Sequence, residues 1–446
     1  MRVSAAEWRE WILAGIGRLG TVVLPVERAH GRTLVEDVRS AHDLPLWDNS
    51  AMDGYALRAP DTAGATPQQP VGLVVTGEVL AGSAADPAVA PGTAVRIMTG
   101  APVPSGADAV VPVELVSGPE ADRLEAADTA HEAELWGRTE IRLDAPVRAG
   151  ANIRRRGEDL SAGSPVARGG DALTAARLSA LAAAGVAEVR VSEIPRVAVL
   201  VTGAELRPPG APLARGQIAE SNSLLVAGLL RESGIEPVAV RRCSDDADAV
   251  REQLRDLARD CDAIITTGGV GPGSHDVVRL AVRSEPGVRA ARVAVRPGQP
   301  QCAGRLSSGA WLFALPGNPV SAATSFEVFV RPALLAWQGR ADPLPRLIPA
   351  VAAVGWRGAR GRLQLMPVTL EAGANAADDP GDPGAPGDDR DAAAAPALLC
   401  RPAVDPRGVS HAVGGHGAVQ AYAVVDEDRG DVAAGDPVGL LMVGPR

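Results

Sequence analysis

At 446 residues the chain is too long for one ordinary core, and the usual ~100 to 200 residues per domain implies a modular protein. Its 46% apolar and 22% charged residues are those of a globular chain, and all 44 basic residues are arginine, which excludes a Walker-type phosphate loop with its lysine. A formal charge of −10, with no basic run beyond Arg154-Arg155-Arg156, sets nucleic acid aside as the main partner, and no apolar run is long enough to span a bilayer.

The opening MRVSAAEWREWILAGIGRLG reads as an amphipathic helix with acidic residues inside it, not a signal peptide, so cytoplasm is the expected compartment. Residues 1 to 40 as a whole read as mostly helical. LPLWDNSAMDGYALRA (44 to 59) follows, where Asp48, Asn49 and Ser50 have the composition of an Asx-type turn. From 70 to 150 come short β-rich runs such as VGLVVTGEVL, TAVRIMTG and EIRLDAPV between Gly/Pro turns, then a helical pattern in DALTAARLSALAAAGV. From 196 to about 339, β-branched runs alternate with helical periods, which predicts right-handed βαβ units and a largely parallel sheet covered on both faces. Beyond 340 short strands return.

The expected fold is therefore multidomain α/β. It comprises a helical and linking segment (1–45 with 146–190), a small inserted β domain (46–145), a central doubly wound α/β domain (191–339) and a C-terminal β-barrel-like domain (340–446). Within the last, the acidic, Pro/Gly-rich stretch 371–396 is expected to be a disordered insertion. The four cysteines lie far apart without a CxxC and predict isolated thiols.

In an open parallel sheet, ligands bind beyond the carboxyl ends of the strands. The loops there read TGAEL, CSDDAD, TTGGVGPGSHD and ALPGNPVS, carrying Glu205, Asp245, Asp246 and Asp276. Gly268 and Gly269 open the third loop, where bare backbone amides ahead of a helix suit an anion. Each acid also has an ordinary reading as a helix cap: Ser274 as N-cap with Asp276 behind it, and Asp245 or Asp246 for the next helix. In ALPGNPVS, Asn318 caps and Pro319 takes the first helical position, while Ser321 is a possible donor into the same crevice. Carboxylates gathered beside a phosphate repel it unless a divalent cation intervenes, so the set predicts a magnesium-dependent site for a phosphorylated ligand, with Asp245 and Asp276 as metal ligands.

DNSAMDGYA, RIMTGAPVPSGADAVV, IRRRGEDLSAG, TGAEL, GQIAESN, the GGV loop and LPGNPVSA together resemble, in order, the molybdopterin molybdenumtransferases, a family that includes the C-terminal domain of gephyrin. The resemblance runs over about the first 340 residues. It implies a dimeric cytoplasmic enzyme of molybdenum-cofactor synthesis that takes adenylylated molybdopterin and molybdate, inserts the metal at the dithiolene and releases AMP with Mg2+. Asp53, Glu205, Asp245 and Asp276 would be catalytic, and Thr99, Asp159, Gly268, Gly269, Arg296, Pro316, Pro319 and Ser321 would bind substrate. Asp53 and Thr99 would reach the partner subunit's site, and a molybdopterin adenylyltransferase would be a further partner. Where the family has GGVSVG, TGDEL and KPGKP, this chain has Gly271, Ala204 and Arg296-Pro297-Gly298-Gln299-Pro300, so the second cation is replaced by a neutral amide. Arg362 stands where GRLDF-like segments keep an arginine, and Ser410 matches a family serine. Two other readings stand beside this one: a paralogue that binds pterin or nucleotide without metal insertion, and an adenylyltransferase or pyrophosphatase suggested by the glycine loop alone.

Overall fold

The computed structural model describes residues 2–117, 139–271, 273, 276–372 and 398–444. Strands and helices alternate after residue 196 as β1 (Val197–Thr202), α1 (Asn222–Glu232), β2 (Ala239–Cys243), α2 (Ala247–Leu257), β3 (Ala263–Thr267) and α3 (Val277–Ala281). There follow β4 (Val288–Arg296), β5 (Pro300–Arg305), β6 (Trp311–Leu315), α4 (Pro319–Ser325) and α5 (Arg331–Trp337). Across the sheet the order is β2-β1-β3-β6-β5-β4; the first four strands are parallel, and β5 runs against both neighbours.

Strands β1, β3 and β6 are buried along their whole length, as central strands covered on both faces must be, Thr202, Thr266 and Thr267 included. Val197, Val199 and Val201 pack with α1, α4 and α5, whereas Ala198 and Leu200 pack with Val250, Leu254 and Val278 from α2 and α3. Helices thus cover both sides of the sheet. Strand β5 (PQCAGR) has no β-branched residue and no strand signature; pairing along both of its edges overrides its weak propensity.

Two expectations need correction. Residues 1 to 40 are not mostly helical: the α-helix spans only Ala5–Gly15, and Thr21–Pro25 is a strand paired with Glu188–Ser192, as its β-branched TVVLP favours. Nor is the opening helix a linking element, because Trp8 and Ile12 are buried in the α/β core and Arg2–Ser4 pairs with β4. The helix is held at its start by a capping box, in which the Glu7 N–H donates to Ser4 Oγ at 3.1 Å and the Ser4 N–H to Glu7 Oε2 at 2.8 Å.

The small β unit is a five-stranded sheet in the order Ala109–Pro112, Gly54–Leu57, Thr93–Ile97, Val71–Val79, Glu140–Leu143. At the other end of the chain, β7 (Ile348–Ala352), β8 (Leu363–Ala372), β9 (Leu398–Pro402), β10 (Ala421–Val425) and β11 (Pro437–Met442) pair in a ring. That ring is a closed five-stranded barrel, which leaves no open edge. The insertion expected at 371–396 lies outside the described residues, apart from Glu371 and Ala372 at the end of β8. Val295 and Arg296 of β4 pair with Leu363 and Gln364 of β8, so sheet and barrel join beside the loop that follows β4.

Candidate active site

Because β1, β2, β3 and β6 are parallel, their carboxyl ends open on one edge, where the loops bound a cavity of about 780 Å³. It is lined by Glu205, Asp245, Gly268, Gly269, Asp276, Pro316 and Pro319 among the predicted residues, together with Thr202, Glu220, Asn222, His411 and Val413. The predicted acids at the strand ends therefore do converge.

The two neighbouring aspartates separate by geometry. Asp246 is the N-cap of α2 and accepts from the Ala249 N–H at 2.7 Å, whereas Asp245 lines the cavity and accepts from the Ala204 N–H at 2.7 Å. Asp276 stands at the N-cap position of α3, not inside the helix, and makes no capping bond. Instead Oδ1 accepts from the Gly271 N–H at 2.7 Å and Oδ2 from the Gly273 N–H at 2.6 Å, which folds the carboxylate back on the glycine loop. Ser274, its expected cap, lies outside the described residues.

Glycine is required in that loop. Gly268 and Gly269 have φ of +91° and +63°, and a Cβ would stand 2.7 Å from Thr202 O and 2.9 Å from Val278 N respectively. At Gly271 a Cβ would come within 2.9 Å of Asp276 Oδ2, so the absent side chain makes room for the carboxylate. Gly216–Asn222 supplied no named site residue, yet Glu220 and Asn222 line the cavity. Buried Glu220 accepts from the Ser223 N–H at 2.8 Å and from its hydroxyl, while Asn222 Nδ2 donates to Gly317 O at 2.7 Å. An acid just ahead of a helix and an amide at its first position, on the strand-end edge, were the available signal.

A smaller cavity of about 270 Å³ adjoins the first, and Pro300, Pro316 and Asn318 line both. Arg296, Gln299, Ser321, Arg362, Arg407 and Ser410 complete much of its wall. Arg296 Nη2 donates to Pro406 O at 2.8 Å and Nη1 to Arg357 O at 3.3 Å, two carbonyls beyond the sheet. Arg407 pairs with Asp405 at 2.8 Å, and its hydrogen bonds hold the Asp405 carboxyl down at about 2. Charge is segregated: Glu205, Glu220, Asp245 and Asp276 line the larger cavity, and three arginines line the smaller. Sequence reading missed Arg407 and His411, because nothing local marks a barrel loop as facing a sheet edge.

Asp53, Thr99 and Asp159 line neither cavity of this chain. Asp53 Oδ1 accepts from the Thr99 N–H at 2.6 Å and both residues are exposed on the small β unit; Asp159 is exposed beside Leu44, to whose carbonyl its N–H donates at 3.0 Å. The Asx-type turn expected over Asp48, Asn49 and Ser50 is not what forms: Asn49–Ser50 is a buried strand paired with Ile153–Arg154, and Arg155 Nη1 and the Arg156 N–H, from that same partner segment, donate to the Asp48 carboxylate at 2.6 and 2.8 Å. Together they hold that carboxyl below the usual range, the Arg156 N–H contributing most.

Among the described residues no three or more His, Cys, Asp or Glu gather as a metal cluster. Asp245 and Asp276 nevertheless fit Mg2+, since their oxygens keep lone pairs beyond their amide bonds and this ion takes one or two carboxylates with phosphate and water as its other ligands.

Residues 3–185 match the family described as the MoeA N-terminal region (domain I and II), and residues 198–336 the probable molybdopterin binding domain. A Mycobacterium tuberculosis H37Rv protein named molybdopterin molybdenumtransferase 2 is 42% identical over 356 residues, covering 78% of this chain and 83% of its own. The chain belongs to the molybdopterin molybdenumtransferase family. A Staphylococcus aureus MRSA252 molybdopterin molybdenumtransferase is 33% identical over 332 residues, 74% of each chain. The crystal structure of a Pyrococcus horikoshii OT3 molybdopterin biosynthesis moeA protein superposes with a TM-score of 0.76 at 26% identity, over 99% of this chain and 100% of that one. No helix among the described residues is long and apolar enough to cross a membrane.

Proposed function

We propose that this transferase of molybdenum-cofactor biosynthesis binds adenylylated molybdopterin in its acid-lined cavity and molybdate in the adjoining arginine-lined one, inserting the metal at the dithiolene and releasing AMP. The observation that carries the reading is the pair of oppositely charged cavities sharing Pro300, Pro316 and Asn318. Molybdate is a dianion and suits guanidinium groups, which bind oxyanions through two parallel N–H donors. The nucleotide phosphates suit the glycine loop because Gly268 and Gly269, having no side chains, let a ligand approach the backbone closely, although the Gly268 N–H itself is donated to Leu315 O at 3.1 Å.

Asp245 and Asp276 would hold Mg2+, which when bound neutralises phosphate oxygens near carboxylates that otherwise repel them. Asp276 has a second task, since its bonds to the Gly271 and Gly273 amides fix the loop against which phosphate rests. Glu205, on the same edge, would orient the attacking water or accept its proton. Pro316 and Pro319 stiffen the wall between the cavities. Asp53 and Thr99 belong to the reading as residues given to the other subunit of a homodimer, and Asp159 as a substrate contact. A cytoplasmic setting and a molybdopterin adenylyltransferase that delivers the substrate are parts of the same proposal.

The test is molybdate-dependent AMP release from adenylylated molybdopterin with Mg2+, with Asp276→Ala as control. Release that requires molybdate and is lost in the variant supports the reading; no release by the unaltered protein overturns it.

A further inference from the structure

The arginines in the wall of the smaller cavity are not equally available to an anion. Arg296, the last residue of β4, commits both terminal nitrogens to protein: Nη1 donates to Arg357 O at 3.3 Å and Nη2 to Pro406 O at 2.8 Å. Both carbonyls lie in loops of the barrel. Arg296 therefore fastens the sheet to the barrel, and one of its two anchors is the residue immediately before Arg407.

Arg407 is held in another way. Its side chain is largely exposed and pairs with Asp405, which takes one edge of the guanidinium: Nε donates to Oδ1 at 3.1 Å and Nη2 to Oδ2 at 2.8 Å. A guanidinium has a second two-donor edge, formed by Nη1 and the other N–H of Nη2. Among the described residues Nη1 donates to nothing, and Asp405 is not part of the cavity wall that Arg407 lines. An exposed Asp–Arg pair adds little to stability, so what this one supplies is direction. The backbone around it is fixed too. The Arg407 N–H donates to Asp405 Oδ1 at 2.9 Å, the Gly408 N–H to Asp405 O at 3.0 Å, and Val409 is buried in the barrel core. Arg407 thus stands between two fixed points, the Pro406 carbonyl held by Arg296 and the buried Val409.

Gln299, in the same wall, is neutral where KPGKP segments carry their second lysine. We propose that Arg407 supplies the cation that Gln299 does not, binding the oxyanion through its Nη1–Nη2 edge. Arg296 is then a positioning residue, which acts through the Pro406 carbonyl to hold Arg407 at the cavity. The inference rests on the proposed function for the identity of the oxyanion.

The experiment measures KM for molybdate and kcat for AMP release in the unaltered full-length chain and in Arg407→Gln, Arg407→Lys, Arg296→Gln and the double variant Arg296→Gln with Arg407→Gln. Binding of sodium molybdate is followed by calorimetry, with AMP binding and Tm as controls. Loss of one charge-assisted hydrogen bond corresponds to about a tenfold to hundredfold change. Arg407→Gln is expected to raise KM and Kd for molybdate about tenfold with kcat and AMP affinity kept. Arg407→Lys, which keeps the charge but not the two-donor edge, raises them less. Arg296→Gln raises them as well, and the double variant goes no further than the larger single effect, because residues that act through one another are not additive. Unchanged molybdate affinity in Arg407→Gln overturns the inference, and so does an equal loss of AMP affinity, the mark of general distortion. A double variant whose effect is the product of the two single ones overturns the positioning role of Arg296. Should Arg296→Gln fail to fold, Arg296→Lys, which keeps the charge but not the reach to both carbonyls, takes its place in the cycle. An unaltered protein that binds molybdate but releases no AMP counts against the proposed function and leaves the Kd series to judge Arg407.

Discussion

Asp245 and Asp246 are chemically identical neighbours with different tasks, and substitution should separate them. Asp246→Ala removes the α2 cap and is expected to cost about 1 kcal/mol of stability, read as a lower urea midpoint, with AMP release retained. Asp245→Asn should leave the midpoint nearly unchanged and lower AMP release about 100-fold or more, since it takes a charge from the site where phosphate oxygens must be neutralised. The pair also marks what sequence could say at this scale. CSDDAD showed that acids lie at a strand end, but which of the two caps depends on where α2 begins, and one residue of difference exchanges their roles. Gly268 and Gly269 were legible for a firmer reason, because a strand followed by two glycines implies backbone that a side chain would obstruct. Gly269→Ala forces a Cβ into positive φ near Val278 N and is expected to destabilise by about 1 to 2 kcal/mol in the same unfolding measurement.

Among the elements, NPVSAATSFEVFVRPALLAWQ reads as one helix but contains a π turn over Phe326–Val330 between α4 and α5. Pro332 explains the site of the break: it lacks an N–H and would clash with the carbonyl of Val328, so the wider turn relieves the ladder. The turn also presents Glu327 to Arg331, both almost fully buried, with Arg331 Nη2 to Glu327 Oε1 at 2.8 Å and Nε to Oε2 at 2.9 Å. Arg331 Nη1 donates onward to Ser233 Oγ at 2.7 Å just past α1, tying the helix pair that backs the cavity wall. Arg331→Met removes the guanidinium from a carboxylate already out of water and is expected to cost about 3 to 5 kcal/mol in urea unfolding. Glu327→Gln combined with Arg331→Met should recover part of that loss, because no buried charge is left behind. None of this was legible in the sequence, where Glu and Arg four apart look like a surface pair. The alternation of strands and helices was legible because burial on both faces leaves long β-branched runs. Strand β5 and the short extent of the first helix were not, because their states are set by partners far along the chain.

At the scale of the whole molecule, the cavities are built by four parts of the chain: strand-end loops of the sheet, the loop after β4, Arg362 just ahead of β8, and the barrel segment from Arg407 to Val413. The small β unit contributes nothing to either cavity within one chain, yet it carries Asp53 and Thr99, bonded to each other and exposed, with Trp47 and Met52 also exposed nearby. A carboxylate held in one direction on an open face, flanked by apolar side chains, is what a contribution to another subunit's site requires. Complementation distinguishes this from a purely local role. If Asp53 of one subunit serves the Asp276 site of the other, a dimer with Asp53→Ala in one chain and Asp276→Ala in its partner has one site with both residues intact and one with neither. Mixing the two inactive variants under exchange conditions should then restore AMP release in the mixed dimers to about half that of an unaltered dimer, because catalytic effects of residues acting as a unit are not additive and the doubly altered site contributes little. If Asp53 acts within its own chain, each site of the mixed dimer lacks one residue and the mixture stays inactive. Measuring AMP release against mixing ratio, with tagged chains to isolate the mixed species, separates the two outcomes.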